Sequence, residues 1–130
     1  MKIMVCFDGT APSKEATRLA VEHAKAFKAS VAIVASMVKG TESERHDIEK
    51  TELDLEHEKK MVSDEGIPCE THLLIRGLSA GEDLINFADE HNMDEIIIGI
   101  RRRSKVEKIV FGSTAQYVIL KALCPVVTVK

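Results

Sequence analysis

Short apolar runs alternate along this chain with longer segments in which apolar residues recur every three or four positions. Five of the runs have the length and composition of buried β-strands. They lie at residues 2–7, 31–38, 69–75, 95–98 and 126–129. Because helical periodicity fills the segments between them, the expected order is βαβαβαβαβ, which predicts a parallel sheet with helices on both faces. Right-handed crossovers limit the architecture to a doubly wound α/β sheet.

Turn and capping residues indicate where the helices begin and end. Pro12 suits the first turn of the first helix, where its missing N–H costs nothing. In a capping box, a Ser or Thr is followed three residues later by Glu or Gln. Such pairs open the other three helices at Thr41, Ser79 and Ser113. Gly66 is expected to end the second helix.

Apolar stripes predict which helix faces are buried. The first helix has its stripe at Ala16, Leu19, Ala20, His23, Ala24 and Phe27. The second helix has only a thin stripe within a charged segment, so we expect it to be mostly exposed. That stripe consists of Ile48, Leu55 and Val62. The last two helices are expected to bury Leu84, Ile85, Phe87 and Ala88, and Val118, Ile119, Ala122 and Leu123.

Composition narrows the class of protein. A chain of 130 residues, 45% hydrophobic and 30% charged, without repeats or linkers, is typical of one globular domain, which we expect to span residues 1–130. A formal net charge of −3, no Trp and one Tyr argue against a nucleic-acid partner. No apolar run approaches the roughly 20 residues of a membrane span. No leader precedes the first strand, so we expect a cytoplasmic protein with no membrane partner.

The cysteines do not indicate a disulfide framework or a metal site. Cys6, Cys69 and Cys124 are odd in number, far apart, and include no C-x-x-C pair. Buried free thiols in a reducing cytosol are therefore expected.

Two loops at strand carboxyl ends carry the candidate chemistry, because open α/β sheets bind ligands beyond those ends, where strand order reverses. One is the turn that begins at Asp8, and the other is the segment 99–114. In the second loop, Gly99 allows a close backbone approach or an unusual φ. Gly112, followed by Ser113 and Thr114, opens a helix whose free N–H groups and dipole favour anions. Nearby cations add positive charge, namely Arg101, Arg102, Arg103 and Lys105.

Each of these features also has a purely structural interpretation. Ser113 with Gln116 forms a helix cap, and Gly99 can simply end a strand. A run of arginines is usually a solvated loop, and Asp8 can be a turn residue that bonds its own backbone.

A family resemblance makes the prediction more specific. The segment from Gly99 through Ile100 to Arg102, nine further residues, then Gly112 and Ser113 is similar to the nucleotide-binding signature of universal stress proteins. That signature reads glycine, two residues, glycine, nine residues, glycine, then serine or threonine. The opening residues 1–16 resemble the first strand and D-G-S/T turn of that family, and the ending resembles its last helix and strand.

The resemblance implies a five-stranded sheet of order 3-2-1-4-5 and a homodimer built around the last strand. It also implies ATP or another adenine nucleotide as the ligand, with or without Mg²⁺. By position, Asp8 would lie near adenine and ribose, and Ser36, at the end of the second strand, would face the adenine edge. Gly99 and Ile100 belong to the segment that approaches ribose or phosphates. The phosphates would be held by Gly112, Ser113 and Thr114.

One residue departs from the family pattern. Arg102 stands where the signature has its second glycine. Its side chain either grips phosphate in place of backbone amides or blocks the pocket. The first alternative predicts an adenine-nucleotide-binding regulatory protein of the stress response. The second predicts a dimeric interaction module that does not bind ATP.

An enzyme is not expected. The chain has no Walker G-x-x-x-x-G-K-[ST] segment, and we predict no catalytic residue and no protein-held metal. The five histidines are scattered, and none lies in the two candidate loops. They are His23, His46, His57, His72 and His91.

Overall fold

The computed structural model describes residues 1–37, 42–75, 78–101 and 112–130, with side chains in the second helix from residue 46 onward. Each predicted strand and helix is present in these segments. The strands are β1 (Lys2–Cys6), β2 (Ser30–Met37), β3 (Cys69–Ile75), β4 (Glu95–Gly99) and β5 (Val126–Val129). The helices are α1 (Ala11–Phe27), α2 (Glu42–Asp64), α3 (Ala80–Glu90) and α4 (Ser113–Lys121).

The five strands form one parallel sheet in the order β3-β2-β1-β4-β5. This confirms the doubly wound fold and the strand order implied by the resemblance. Cys6, at the end of β1, pairs in register with Val34 of β2 and Ile98 of β4. Because strand order reverses between β1 and β4, their carboxyl ends diverge into two loops and leave a crevice between them.

The central strand β1 divides the core into two layers through the period-two alternation of its side chains. Ile3 and Val5 belong to the cluster that includes the apolar residues of α1 and α2. Met4 and Cys6 belong to the cluster that includes those of α3 and α4. Both faces of the sheet are therefore covered, as expected from continuously apolar strands.

The helix starts agree with the sequence at two of the three described positions. Thr10 caps α1, and Pro12 lies in its first turn. Ser79 caps α3, and its hydroxyl accepts the N–H of Glu82 at 3.3 Å. At α4 the predicted capping box is wrong, because Gly112 is the N-cap and makes no side-chain cap bond. The predicted start at Thr41 lies outside the described residues.

The predicted apolar faces of α2 and α3 are confirmed at their centres, whereas those of α1 and α4 need correction. Phe27 is 56% exposed, because the buried stripe of α1 follows a four-residue spacing through its alanines and leaves this last residue to one side. Val118 of α4 is fully buried, but Ile119 is 37% exposed and Leu123 is 87% exposed. Leu123 lies beyond the C-cap residue Ala122, so the helical face does not extend to it.

Membrane insertion of a helix has no support in the described part of the chain, where every helix is too short or too polar to cross a bilayer.

Candidate functional site

A cavity of about 600 Å³ opens at the carboxyl ends of β1, β2 and β4. Its wall also includes the first turns of α3 and α4. All predicted site residues that the structure describes line this cavity. They are Asp8, Ser36, Gly99, Ile100, Gly112, Ser113 and Thr114. The fold therefore brings the first candidate loop together with the described ends of the second, while the role of these residues as ligand contacts stays a prediction.

Among the predicted cations, Arg101 is exposed and lines the cavity. Arg102, Arg103 and Lys105 lie outside the described residues, so the two hypotheses about Arg102 stay open. The Arg101 side chain supplies one positive charge at the cavity wall, where Asp8 supplies a negative one.

The first turn of α4 forms the cavity wall with its N–H groups unused. The first bond within the helix runs from the N–H of Gln116 to the carbonyl of Gly112, at 3.0 Å. The amides of Ser113, Thr114 and Ala115 precede it, and none has a hydrogen-bond partner within the described segments. Without a capping side chain, these donors and the positive end of the helix dipole remain available to an anion.

The surroundings of Gly112 and Gly99 differ in how much room they leave for a side chain. Gly112 has φ −64°, and a Cβ at this position would meet no atom of the described residues within 4 Å. At Gly99 a Cβ would lie 2.5 Å from the carbonyl carbon of Pro12 and 2.7 Å from its oxygen. The unusual-φ hypothesis for Gly99 is wrong, since positive-φ glycines in the described segments are Gly9 and Gly66. Close packing of α1 on β4 requires Gly99.

Ile100 lines the cavity but does not offer its amide to it. Its N–H donates to the carbonyl of Val129 at 2.7 Å and extends the pairing between β4 and β5. The residue is 5% exposed. Any contribution of Ile100 to a ligand would therefore be apolar contact.

Asp8 has a structural role and a free oxygen. Its Oδ1 accepts the N–H of Thr10 at 3.0 Å and also the Thr10 hydroxyl, so the turn interpretation is confirmed. Thr10 in turn caps α1, and Gly9 between them has φ +80°. Within the described segments Asp8 Oδ2 has no hydrogen-bond partner and remains an acceptor for a ligand hydroxyl or amide.

Ser36 is hydrogen-bonded to a buried residue that was not predicted from the sequence. Its hydroxyl donates to Oδ2 of Asp83 at 2.8 Å. Asp83 lies on α3, is 0% exposed, and has a buried Oδ1 without a hydrogen-bond partner among the described residues. Nothing in the sequence distinguishes it, because acidic residues are common in the first turn of a helix, where they complement the dipole.

Ser13 is a second missed residue. It lines the cavity, is 2% exposed, and its hydroxyl donates to the carbonyl of Thr10 at 2.8 Å. A serine in the first turn of a helix gives no sign of such a position.

The three cysteines are free thiols, as expected, but only Cys6 is buried. Cys6 lines the cavity, and burial, with the charge of Asp8, raises the pKa of its thiol to about 12. Partial burial also raises the pKa of Cys69 to about 11 and raises the pKa of Cys124. None of the three is poised as a thiolate nucleophile.

Comparison with known proteins identifies relatives along the whole chain. The model of the universal stress protein family matches residues 1–130. A universal stress protein of Methanocaldococcus jannaschii is 32% identical over 140 positions, which cover 99% of this chain and 81% of the relative.

Solved structures agree in fold. A universal stress protein from Archaeoglobus fulgidus superposes with a TM-score of 0.87 at 35% identity, covering 100% of this chain and 93% of that one. A structure of the universal stress protein from Archaeoglobus fulgidus in complex with dAMP superposes with a TM-score of 0.84 at 34% identity, covering 100% and 98%. With the family match over residues 1–130, these findings show that the chain belongs to the universal stress protein family.

Proposed function

We propose that this chain is a cytoplasmic regulatory protein of the stress response that binds ATP, AMP or a related adenine nucleotide in the cavity at the start of α4. The observation that carries the proposal concerns the first turn of α4, whose residues line a cavity of about 600 Å³ and whose N–H groups have no partner among the described residues. That volume lies within the range of about 300–1,000 Å³ usual for small-molecule sites.

The phosphates would bind at the α4 end. Ser113 and Thr114 supply amides there, and Arg101 supplies a cation. The open space at Gly112 leaves room for a phosphate to approach the backbone. Oxygen atoms bound by amides and a guanidinium would receive charge-assisted hydrogen bonds, which are stronger than neutral ones.

The base would bind at the opposite end, beside Ser36. Strands β2 and β4 flank β1, so their ends lie about 10 Å apart at the usual spacing of neighbouring strands. A mononucleotide spans a distance of this order between phosphate and base. Asp8, at the end of β1 between them, would accept a hydrogen bond from the ribose or the base.

The ligand class is supported by the Archaeoglobus fulgidus relative, which is 34% identical and was solved with dAMP. Triphosphates would bring Mg²⁺ held mainly by their own oxygens. Asp8 is the acidic side chain among the described residues that line the cavity.

The direct test is calorimetric titration of the protein with AMP, dAMP and ATP, the last with and without Mg²⁺. Dissociation constants in the micromolar range are expected, and GMP serves as the control. Acid release from freshly purified protein, followed by ion-exchange chromatography, would identify a nucleotide that co-purifies. Absence of heat and of a thermal shift at millimolar concentrations of all three adenine nucleotides would overturn the proposal.

The substitution of Arg102 by Ala separates the two hypotheses about that residue, with Arg103→Ala as the control. We propose that Arg102 grips phosphate, so Arg102→Ala should weaken ATP binding by about tenfold or more. A gain in affinity would show obstruction instead and would favour the alternative function, a dimeric interaction module that does not bind ATP.

We further propose a homodimer through the C-terminal strand. β5 is an edge strand, and such an edge needs cover or pairing. Leu120 and Leu123, which precede it, are 71% and 87% exposed, so a partner would bury apolar surface there.

Light scattering coupled to gel filtration tests this proposal, and a dimer at micromolar concentration is expected. Leu123→Asp should raise the dimer dissociation constant by at least about tenfold. Leu53→Asp on α2, where Leu53 is 66% exposed, is the matched control and should have no effect. A monomeric wild-type protein would contradict the dimer.

A further inference from the structure

Ser36 lies between the cavity and a buried carboxylate. Ser36 lines the cavity wall near the end of β2, and its hydroxyl donates to Oδ2 of Asp83 at 2.8 Å. Asp83 itself is 0% exposed and is absent from the cavity wall. A ligand in the cavity would therefore meet Ser36 and not Asp83.

The hydrogen bond to Asp83 determines which hydrogen-bonding groups of Ser36 remain for that ligand. A serine hydroxyl has one proton and two acceptor lone pairs, whereas an ionised carboxylate only accepts. Because the hydroxyl hydrogen of Ser36 is bonded to Asp83, only the lone pairs of Ser36 Oγ remain for a ligand in the cavity. An unpaired serine would instead rotate its hydroxyl to donate or accept as the ligand demands.

The cost of Asp83 argues for a role other than stability. Burial is energetically costly for a carboxylate that is 0% exposed, accepts from one hydroxyl, and has no partner for Oδ1 in the part of the chain that the structure describes. An apolar residue or an asparagine at this position of α3 would relieve that cost. What a carboxylate supplies, and these residues do not, is an obligate acceptor for the Ser36 proton.

We propose that Asp83 is a positioning residue that makes Ser36 an obligate acceptor, and that the cavity thereby selects a purine with an exocyclic amino group over one with a carbonyl at the same position. This inference rests on the proposed function, which places the base at the β2 end. Adenine has an N6 amino donor that Ser36 Oγ can accept. Hypoxanthine has a carbonyl O6 there, whose lone pairs would face those of Ser36 Oγ.

The test compares the affinities of AMP, IMP and purine riboside 5′-monophosphate, which has no substituent at position 6. For the wild-type protein, AMP should bind about 3- to 10-fold more tightly than purine riboside monophosphate, as one neutral hydrogen bond requires. IMP should bind more weakly than either.

Asp83→Asn and Ser36→Ala provide the variants. Asn at position 83 has amide protons, so it can donate to Ser36 and free the serine proton for O6. The AMP-to-IMP affinity ratio should then fall at least about 3-fold, or invert. Ser36→Ala should make AMP and purine riboside monophosphate bind equally. Because both variants leave the α4 end intact, AMP should still bind to each.

The outcomes separate this inference from the proposed function. Equal wild-type affinities for AMP and IMP, or an unchanged ratio in Asp83→Asn, would overturn the role of Asp83 while leaving nucleotide binding in place. A merely structural Asp83 would change both affinities by the same factor. Failure of the wild-type protein to bind any of the three nucleotides would overturn both. Should Asp83→Asn fail to fold by circular dichroism, the Ser36→Ala comparison decides the matter, because equal discrimination in that variant and the wild type would refute the assignment.

Discussion

The substitution Gly99→Ala is expected to destabilise the fold because of the contact between β4 and the start of α1. The new Cβ would lie 2.5 Å from the carbonyl carbon of Pro12 and 2.7 Å from its oxygen. Carbon atoms in contact lie about 3.5 Å apart, so the helix or the strand must move by about 1 Å. Both obstructing atoms belong to backbone, which cannot rotate away as a side chain would.

The magnitude follows from the rigidity of that contact. Overpacking a well-packed site usually costs about 1–3 kcal/mol. Because Gly99 is held by β4 and Pro12 by the first turn of α1, we expect the upper half of that range, about 2–3 kcal/mol. For a domain of this size the midpoint of thermal unfolding should fall by roughly 6–12 °C.

Urea unfolding followed by circular dichroism measures the free energy of unfolding of the wild type and two variants. Gly112→Ala is the matched control, since its Cβ would meet no described atom within 4 Å and φ is −64°. It should lose at most about 1 kcal/mol, the usual cost of Ala at an N-cap. If Gly99→Ala proved as stable as Gly112→Ala, the packing argument for Gly99 would be refuted. The glycine would then have to serve the ligand instead.

Three further predictions concern stability and reactivity. Burial raises the pKa of the Glu58 carboxyl above its ordinary value of 4.5. As the pH rises, Glu58 therefore ionises in the unfolded chain before it ionises in the folded protein, which lowers the free energy of unfolding above about pH 4.5. Glu58→Gln should therefore unfold at higher urea concentration than the wild type at pH 7 and at the same concentration near pH 4, and a larger gain at pH 4 would contradict this. Iodoacetamide at pH 7.5 should modify Cys6 more slowly than Cys69 or Cys124, as measured by peptide mass spectrometry. The reason is that Cys6 is 5% exposed and the pKa of its thiol is raised to about 12. Rapid labelling of Cys6 in the folded protein would contradict its burial. Lys28 ends α1 with φ +54°, so Lys28→Gly should raise the free energy of unfolding by up to about 1 kcal/mol, and a loss of stability would show that its side chain matters more than its backbone.

The order of strands and helices along the chain was accessible from the sequence because it rests on local patterns, whereas the spatial order β3-β2-β1-β4-β5 was implied by the family resemblance. Each apolar run is short enough to be a strand, and each of the first four is followed by a helix with its own start signal. Ser79 and Gly66 mark such ends, and both are confirmed. Parallel pairing and right-handed crossovers then restrict the topology.

Features that depend on contacts between distant residues were not accessible in this way. Asp83 lies 47 positions from Ser36, and no local pattern links a first-turn acid of α3 to the end of β2. The exposure of Leu123 was also mispredicted, because helical periodicity continues in the sequence past the point where α4 ends. The apolar pattern assigned Leu123 to the core. In the proposed dimer, Leu123 belongs instead to the surface that a second copy would cover.

The two described glycines of the signature show why a motif and its function need separate tests. Gly99 is required by the approach of α1 to β4, so it would be needed in a protein that binds nothing. Gly112 meets no such constraint, and its neighbours present unused amides to the cavity. A substitution at Gly99 that weakens binding would therefore report on folding as much as on ligand contact. Evidence for the nucleotide has to come from the α4 end, where a bulkier N-cap such as Gly112→Ser keeps the helix capped while occupying the space at the backbone. If that variant binds AMP as the wild type does, phosphate does not approach the helix at residue 112, and the anion site must be sought elsewhere along the segment.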